Sequence, residues 1–454
     1  MADVDAPSVI TAGESGAVFG YHLVFVLLVL IVPLFFIQEA SGRLGVATGK
    51  GLAEVIKDNY SRRMAMLASL PMFVTDFLSY TVEYTGIAVA LEIFGVSPII
   101  SLPVIFLVHA SLVFTGSYRR TEKILLFVSA ILLLSYIGDA FLVKPNVGEL
   151  VSVGLTTVHP FFEPSFGYMV AANVGAVIMP WMLFYQAGAV AQKKLANNHA
   201  SHERLETLLG AIASEILMVA IVIVSASLGS VDLLSPSSLA RALVPLAGRY
   251  AYLLYGLGLG SATFLGLVVI SLASTWGIAE ALGWRRRMGE KFSLARNFYL
   301  VYLLETLPAV IVPLILTNLV NLVLSLMVVF VFVTIIPATM LGLLCSNKEV
   351  MGVNVMGKKW RMMYWFIFVR DASSRQPSLD HFFCPERFQL PHLNNSENRS
   401  TDFPKKPPRT SLHFPCLSRS PRAFSQSGTA DSLSLFSSCP PQRKQNRIRR
   451  VRRT

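Results

Sequence analysis

Three groups of residues in this chain have the types and spacing to handle a cation. The first is Gly175-Ala176-Val177-Ile178-Met179-Pro180-Trp181-Met182, inside an apolar segment from Tyr168 to Val190. A proline there removes a backbone donor and leaves a carbonyl in the preceding turn without its usual partner, which predicts a helix break. Carbonyl oxygens at the break, and the thioether of Met179, could then face an ion instead of lipid. The second group is Asp5-Ala6-Pro7-Ser8, an acid close to a proline and followed by the small-residue stretch Thr11-Ala12-Gly13-Glu14-Ser15-Gly16. It reads as the counterpart of the first, with Pro7 and Pro180 marking two interruptions of one site. The plainer alternative makes Asp5 an ordinary helix N-cap on a solvated segment.

The third group is Asp76, Tyr80 and Glu83, whose spacings of four and three put them on one helical face. Acids within a membrane are costly and face a cavity or a polar partner, so Glu83, with Tyr80 beside it, is a proton-path candidate. Asp76 is expected to pair with Arg62 or Arg63 instead. Asp139 and Glu280, near segment ends, are expected to snorkel or to pair with Lys144 and Arg285. Glu215 and Glu305 are open to either reading. His109, alone in an apolar segment, reads as a satisfied buried histidine, His199 and His202 as loop residues. The glycines Gly256, Gly258, Gly260 and Gly266 suggest close helix packing.

The elements that must position these groups are membrane helices. Of 454 residues 53% are hydrophobic and 15% charged, and the mean hydropathy is +0.56; a soluble domain needs more surface charge. Apolar segments recur at Tyr21–Ile37, Met64–Phe94, Leu102–Phe114, Ile124–Val143, Tyr168–Val190, Leu208–Leu228, Tyr250–Leu282, Phe298–Leu316 and Leu319–Cys345. Most reach the roughly 20 residues that a hydrocarbon core requires. The expected fold is all-α and polytopic. Residues 1–361 form the transmembrane domain and 362–454 a basic Ser/Pro/Arg-rich tail of disordered composition.

The net charge of +12 sits mostly in that tail, where 16 Lys and Arg face 6 Asp and Glu. This location argues against a nucleic-acid partner. Cys345, Cys384, Cys416 and Cys439 lack metal-ligand spacing. The exit Arg43-Leu44-Gly45-Val46-Ala47-Thr48-Gly49-Lys50 does not fit a phosphate-binding loop.

With Tyr21–Ile37 taken as the second span, Lys and Arg number 20 on alternate connections and 3 (Lys144, Arg241, Arg249) on the opposite ones. The basic connections should be cytoplasmic, in a cell membrane. Only about 19 residues precede that span, too few and too polar to cross alone. The first half of span one is therefore expected to be missing. An eleventh span is expected to begin at Lys359–Val369 and then stop, and no cleavable signal peptide is expected.

From roughly Asp3 to Met363 the chain resembles the NRAMP family of divalent-metal transporters. The resemblance rests on Phe19-Gly20-Tyr21 leading to Arg43–Lys50, on Gly175–Pro180, and on Asn347-Lys348-Glu349-Val350-Met351-Gly352. It implies a LeuT-type fold of two inverted repeats, with about ten spans here and spans one and six unwound at the midplane. It also implies metal ligands at Asp5, Ser8, Ala176 and Met179. A thioether favours softer ions such as Mn or Fe over Mg or Ca.

This chain departs from the family where D-P-G-N reads Asp5-Ala6-Pro7-Ser8 and M-P-H-N reads Met179-Pro180-Trp181-Met182. Trp181 and Met182 thus replace a histidine linked to proton movement and its neighbour. Tyr302 and Leu326 stand where the family has an arginine and a glutamine. The expected function is secondary transport of a divalent metal by alternating access, with the metal as substrate, no cofactor, no enzymatic activity and proton coupling left open. A same-fold amino-acid or organic-cation permease and an inactive truncated transporter are the alternatives. An aspartyl protease built on Gly138-Asp139 lacks a facing second aspartate.

Overall fold

In a computed structural model, the described residues are 4–115, 118–156, 163–193, 200–229, 234–285, 289–315 and 320–373. They form sixteen α-helices. These are α1 (Ala6–Phe19), α2 (Val24–Thr48), α3 (Leu52–Asn59), α4 (Arg62–Ile93), α5 (Pro98–Thr115), α6 (Tyr118–Leu142), α7 (Val147–Gly154) and α8 (Pro164–Val177). They continue as α9 (Pro180–Lys193), α10 (Ala200–Leu228), α11 (Pro236–Leu282), α12 (Arg296–Ile311), α13 (Val320–Val333), α14 (Ile335–Ser346), α15 (Lys348–Met351) and α16 (Lys358–Ser373). His199, Arg286, Arg287 and the tail cysteines lie outside the described residues, as does everything after Ser373.

Local chemistry sets the ends of the elements that matter. Asp5 is the N-cap of α1, its Oδ1 accepting the Ser8 N–H at 2.9 Å, and Pro7 lies in the first turn where a missing N–H costs nothing. Pro7 therefore stands in the first turn of α1, and residues 1–3 lie outside the described residues. A 3₁₀ turn over Gly20–Leu23 leads from α1 into α2, which closes on Gly49 in the left-handed region at φ +63°. Ser61 caps α4 by accepting the Met64 N–H. Gly248, at φ +85°, kinks α11.

Nine helical segments among the described residues are long and apolar enough to cross a membrane, the first being α1 and α2 taken together. All nine apolar runs of the sequence reappear in them. The bundle has an inside and an outside. The most apolar windows of Pro164–Lys193 and Arg241–Leu282 are each 72% buried, against 22% for Pro98–Thr115. α5 thus presents Ile99, Val104 and Leu107 outward, as a lipid-facing helix must. α11 packs along α4 and reaches α6 and α9, while α1 lies against α10, α8 and α13. Close backbone approach permits the α8–α13 contact: a Cβ on Gly175 would lie 1.7 Å from the Met327 carbonyl oxygen.

Candidate metal site

The segment read as one span, Tyr168–Val190, is two helices. α8 ends at Val177 and α9 starts at Pro180, with Ile178 at φ −119°, ψ 77° between them. Pro180 has no N–H to offer the Ala176 carbonyl four residues back. The Ser8 hydroxyl, from α1, lies 3.1 Å from that oxygen instead. The Ile178 carbonyl accepts from Thr334 Oγ1 at 3.3 Å. Backbone oxygens released by the break are thus met by side chains from other helices, the condition for irregular backbone at membrane depth.

Ser8 joins the two predicted interruptions. Its hydroxyl also lies 2.6 Å from Asp5 Oδ1, so carboxylate, hydroxyl and the Ala176 carbonyl form one chain of contacts. Asp5, Ser8, Ala176 and Met179 are all buried, at 1% exposure or less. Asn173 adds a second α8–α1 link, donating to Ser15 Oγ at 2.7 Å. The N-cap reading of Asp5 is correct as local structure, but the segment it caps is buried rather than solvated. Met179 Sδ accepts from Trp181 Nε1 at 3.2 Å. Met182 Sδ lies 3.8 Å from Gln38 Nε2.

Glu83 approaches the same place from α4. Its two carboxylate oxygens lie 3.3 and 3.2 Å from the Ala6 N–H, at the positive end of α1. The space it occupies exists because residue 266 on α11 is glycine; a Cβ there would fall 2.5 Å from Glu83 Oε1.

Asp76 behaves differently from expectation. It is fully buried, and Arg62 and Arg63 are exposed at the start of α4, about 21 Å away along the helix axis. Its neighbours are Ser274 of α11, Glu305 of α12 and the charge of Asp5. Ser274 donates to Glu305 Oε1 at 2.7 Å, and the Tyr80 hydroxyl lies beside Glu305. Asp76 and Glu305 thus lie either side of Ser274 where α4, α11 and α12 pack, while Glu83 meets the start of α1 beside Asp5. Sequence reasoning gave Asp76 the wrong partner and left Glu305 open because their partners are nonlocal. Their one common signal, an acid deep inside an apolar run, was present for both.

Two other pairings are corrected. Asp139 is buried beside Tyr136, while Lys144 lies exposed beyond α6 at φ +51°. Glu280 Oε2 accepts the Glu54 N–H at 3.3 Å, at the start of α3, rather than pairing with Arg285. His109 is satisfied as expected, Nδ1 with the Tyr84 hydroxyl at 3.2 Å and Nε2 with the Ser271 hydroxyl at 2.9 Å. Tyr302 stacks edge-on against it, and Leu326 is buried on α13. Among the described residues no group of three or more His, Cys, Asp or Glu is arranged to hold a metal. A site here has to draw on mixed donors.

The family model for natural resistance-associated macrophage protein-like (Nramp) sequences matches residues 1–370. The chain belongs to the Nramp family. Among this Nramp chain's relatives, the divalent metal cation transporter MntH of Staphylococcus haemolyticus is 27% identical over 212 residues, 45% of this chain and 46% of that protein. MntH of Lacticaseibacillus casei is 28% identical over 211 residues, 45% of this chain and 44% of the relative. The matched region therefore spans about half the length of each relative.

Among solved structures, the Eremococcus coleocola manganese transporter with an aromatic bis-isothiourea compound superposes at TM-score 0.65 and 15% identity, covering 82% of this chain and 83% of that one. MhsT with L-phenylalanine superposes at TM-score 0.55 and 13% identity, covering 81% and 98%. The fold is LeuT-type, and this Nramp chain is an integral, multi-pass membrane protein.

Proposed function

We propose that this chain is a secondary transporter that moves divalent transition-metal ions, Mn²⁺ or Fe²⁺ in kind, by alternating access. The ion is its substrate, held between the start of α1 and the α8–α9 break by the Asp5 carboxylate, the Ser8 hydroxyl, the Ala176 carbonyl and the Met179 sulfur. The observation that carries this reading is the Ser8 bridge. It draws together an acid from α1 and a carbonyl that Pro180 has freed from its helix. A carboxylate with two neutral oxygens suits any hard divalent ion, and the thioether tips the balance toward softer ones. MntH relatives bearing the name divalent metal cation transporter support the same substrate class.

Glu83, at the positive end of α1, is the group we assign to any accompanying proton, with Tyr80 one turn away on the same helix. The basic connections face the cytoplasm of a cell membrane on the charge pattern alone. Two measurements in proteoliposomes test the reading. Met179→Ala should lower Mn²⁺-over-Mg²⁺ discrimination about tenfold, in line with a lost soft ligand worth roughly 1.4 kcal/mol; unchanged discrimination removes the sulfur from the site. Glu83→Gln should abolish metal-driven proton flux, and flux at the wild-type level discards its role. Uptake of amino acids with no metal uptake would favour the permease alternative.

A further inference from the structure

Trp181 stands two residues beyond Met179, in the first turn of α9, and its indole N–H points at the Met179 sulfur with Nε1 to Sδ at 3.2 Å. Met179 is 0% and Trp181 1% exposed, so water does not compete for this contact. A thioether sulfur has two lone pairs. An N–H donor engages one of them and draws density from the sulfur, leaving a weaker ligand for a metal. Hard ions held by oxygens are indifferent to that change, whereas a thiophilic ion feels all of it.

On this geometry we infer that Trp181 is a specificity-determining residue: its indole N–H tempers the Met179 sulfur and narrows the site's preference for soft over hard divalent ions. The inference rests on the reading of Met179 as a ligand. The Trp181 ring lies in the first turn of α9, just after Pro180, and is buried, so its N–H has the Met179 sulfur rather than water as partner. Engaging the sulfur lone pair that the indole holds would strand a buried N–H, a cost borne by any ion that takes that lone pair. Ions that rely on oxygen donors avoid this loss.

The test uses the full chain, purified in lipid nanodiscs, with Cd²⁺ as the soft probe and Mg²⁺ as the hard one. Their dissociation constants are measured for wild type, Trp181→Phe, Met179→Ala and the double variant. Phenylalanine keeps a ring and removes the N–H. Trp181→Phe should raise Cd²⁺-over-Mg²⁺ discrimination about fivefold, the factor equivalent to one typical hydrogen bond. In the Met179→Ala background the same substitution should change nothing. A rise of equal size in both backgrounds is a packing effect and overturns the inference, as does a ratio that is unchanged or lower in Trp181→Phe. Met179→Ala separates the two readings. If it lowers discrimination while Trp181→Phe does nothing, the ligand reading stands and the role of Trp181 falls. If it leaves discrimination unchanged, both fall.

Should Trp181→Phe not yield monodisperse protein, wild-type chain labelled with ¹⁵N-tryptophan supplies the readout. Cd²⁺ should move one indole N–H resonance that Mg²⁺ leaves in place, and Met179→Leu should abolish the movement. An indole spectrum insensitive to Cd²⁺ overturns the inference.

Discussion

Ser8 carries a single hydroxyl proton and faces two acceptors, Asp5 Oδ1 at 2.6 Å and the Ala176 carbonyl at 3.1 Å. Replacing it with alanine leaves the Ala176 oxygen, already deprived of an N–H by Pro180, buried beside a methyl group. Ser8→Ala should cost about 1–3 kcal/mol, the penalty for stranding one buried polar group, measured as a lower thermal midpoint of the solubilised protein. Ser8→Thr, which keeps the hydroxyl, should recover most of it. Ser274→Ala should act similarly on Glu305, since it removes the 2.7 Å hydrogen bond to Oε1. At this scale Ser8 and Ala176 entered only through the family resemblance, whereas Asp5, Met179 and Pro180 stood out in the sequence by local chemistry. Asp76 was misread for the same reason: the nearest opposite charge in sequence is Arg62 or Arg63, and only the packing of α4 against α11 and α12 supplies Ser274 and Glu305.

Among the helices, the break between α8 and α9 was the clearest expectation, since proline in an apolar run has few other outcomes. What the run could not reveal is who repairs the break. Ser8 from α1 and Thr334, between α13 and α14, come from 168 and 156 residues away in sequence. The apolar runs were equally legible as helices. The kink of α11 at Gly248 was not, since a lone glycine in an apolar run more often packs than bends. The α8–α13 seam yields a sharp prediction. With backbone rather than a flexible side chain facing Gly175, alanine there cannot be accommodated by a rotamer change. Gly175→Ala should be recovered as aggregate on size-exclusion chromatography, whereas Val174→Ala, a partly buried neighbour, should elute as wild type.

For the molecule as a whole, two measurements bear on orientation and substrate. In a background with Cys384, Cys416 and Cys439 changed to serine, exposed His202 and exposed Val147 can each be replaced by cysteine. A membrane-impermeant maleimide should label His202→Cys only in inside-out vesicles and Val147→Cys only in right-side-out ones. The reverse pattern would invert the charge-based orientation. Saturating Mn²⁺ at about 100 times its dissociation constant should stabilise the folded protein by about 2.7 kcal/mol, and the shift should shrink in Met179→Ala. Charge asymmetry was readable at this scale because it sums over loops and needs no packing. The clamp in which Glu39 pairs with Arg43 and Arg204, with both guanidinium groups over Trp360, was not. It unites α2, α10 and α16 from distant parts of the chain.

Gly266 and Glu83 share a volume, and that sharing constrains how the protein can vary over evolutionary time. The oxygen that a Cβ at 266 would strike belongs to a side chain able to withdraw, unlike the backbone met at Gly175. Drift to alanine at 266 becomes admissible once position 83 shortens to aspartate, and disadvantageous before. The two positions should therefore covary as small-with-long or larger-with-short pairs. In a selection for metal uptake, Gly266→Ala alone should be depleted and Gly266→Ala with Glu83→Asp should be enriched over it.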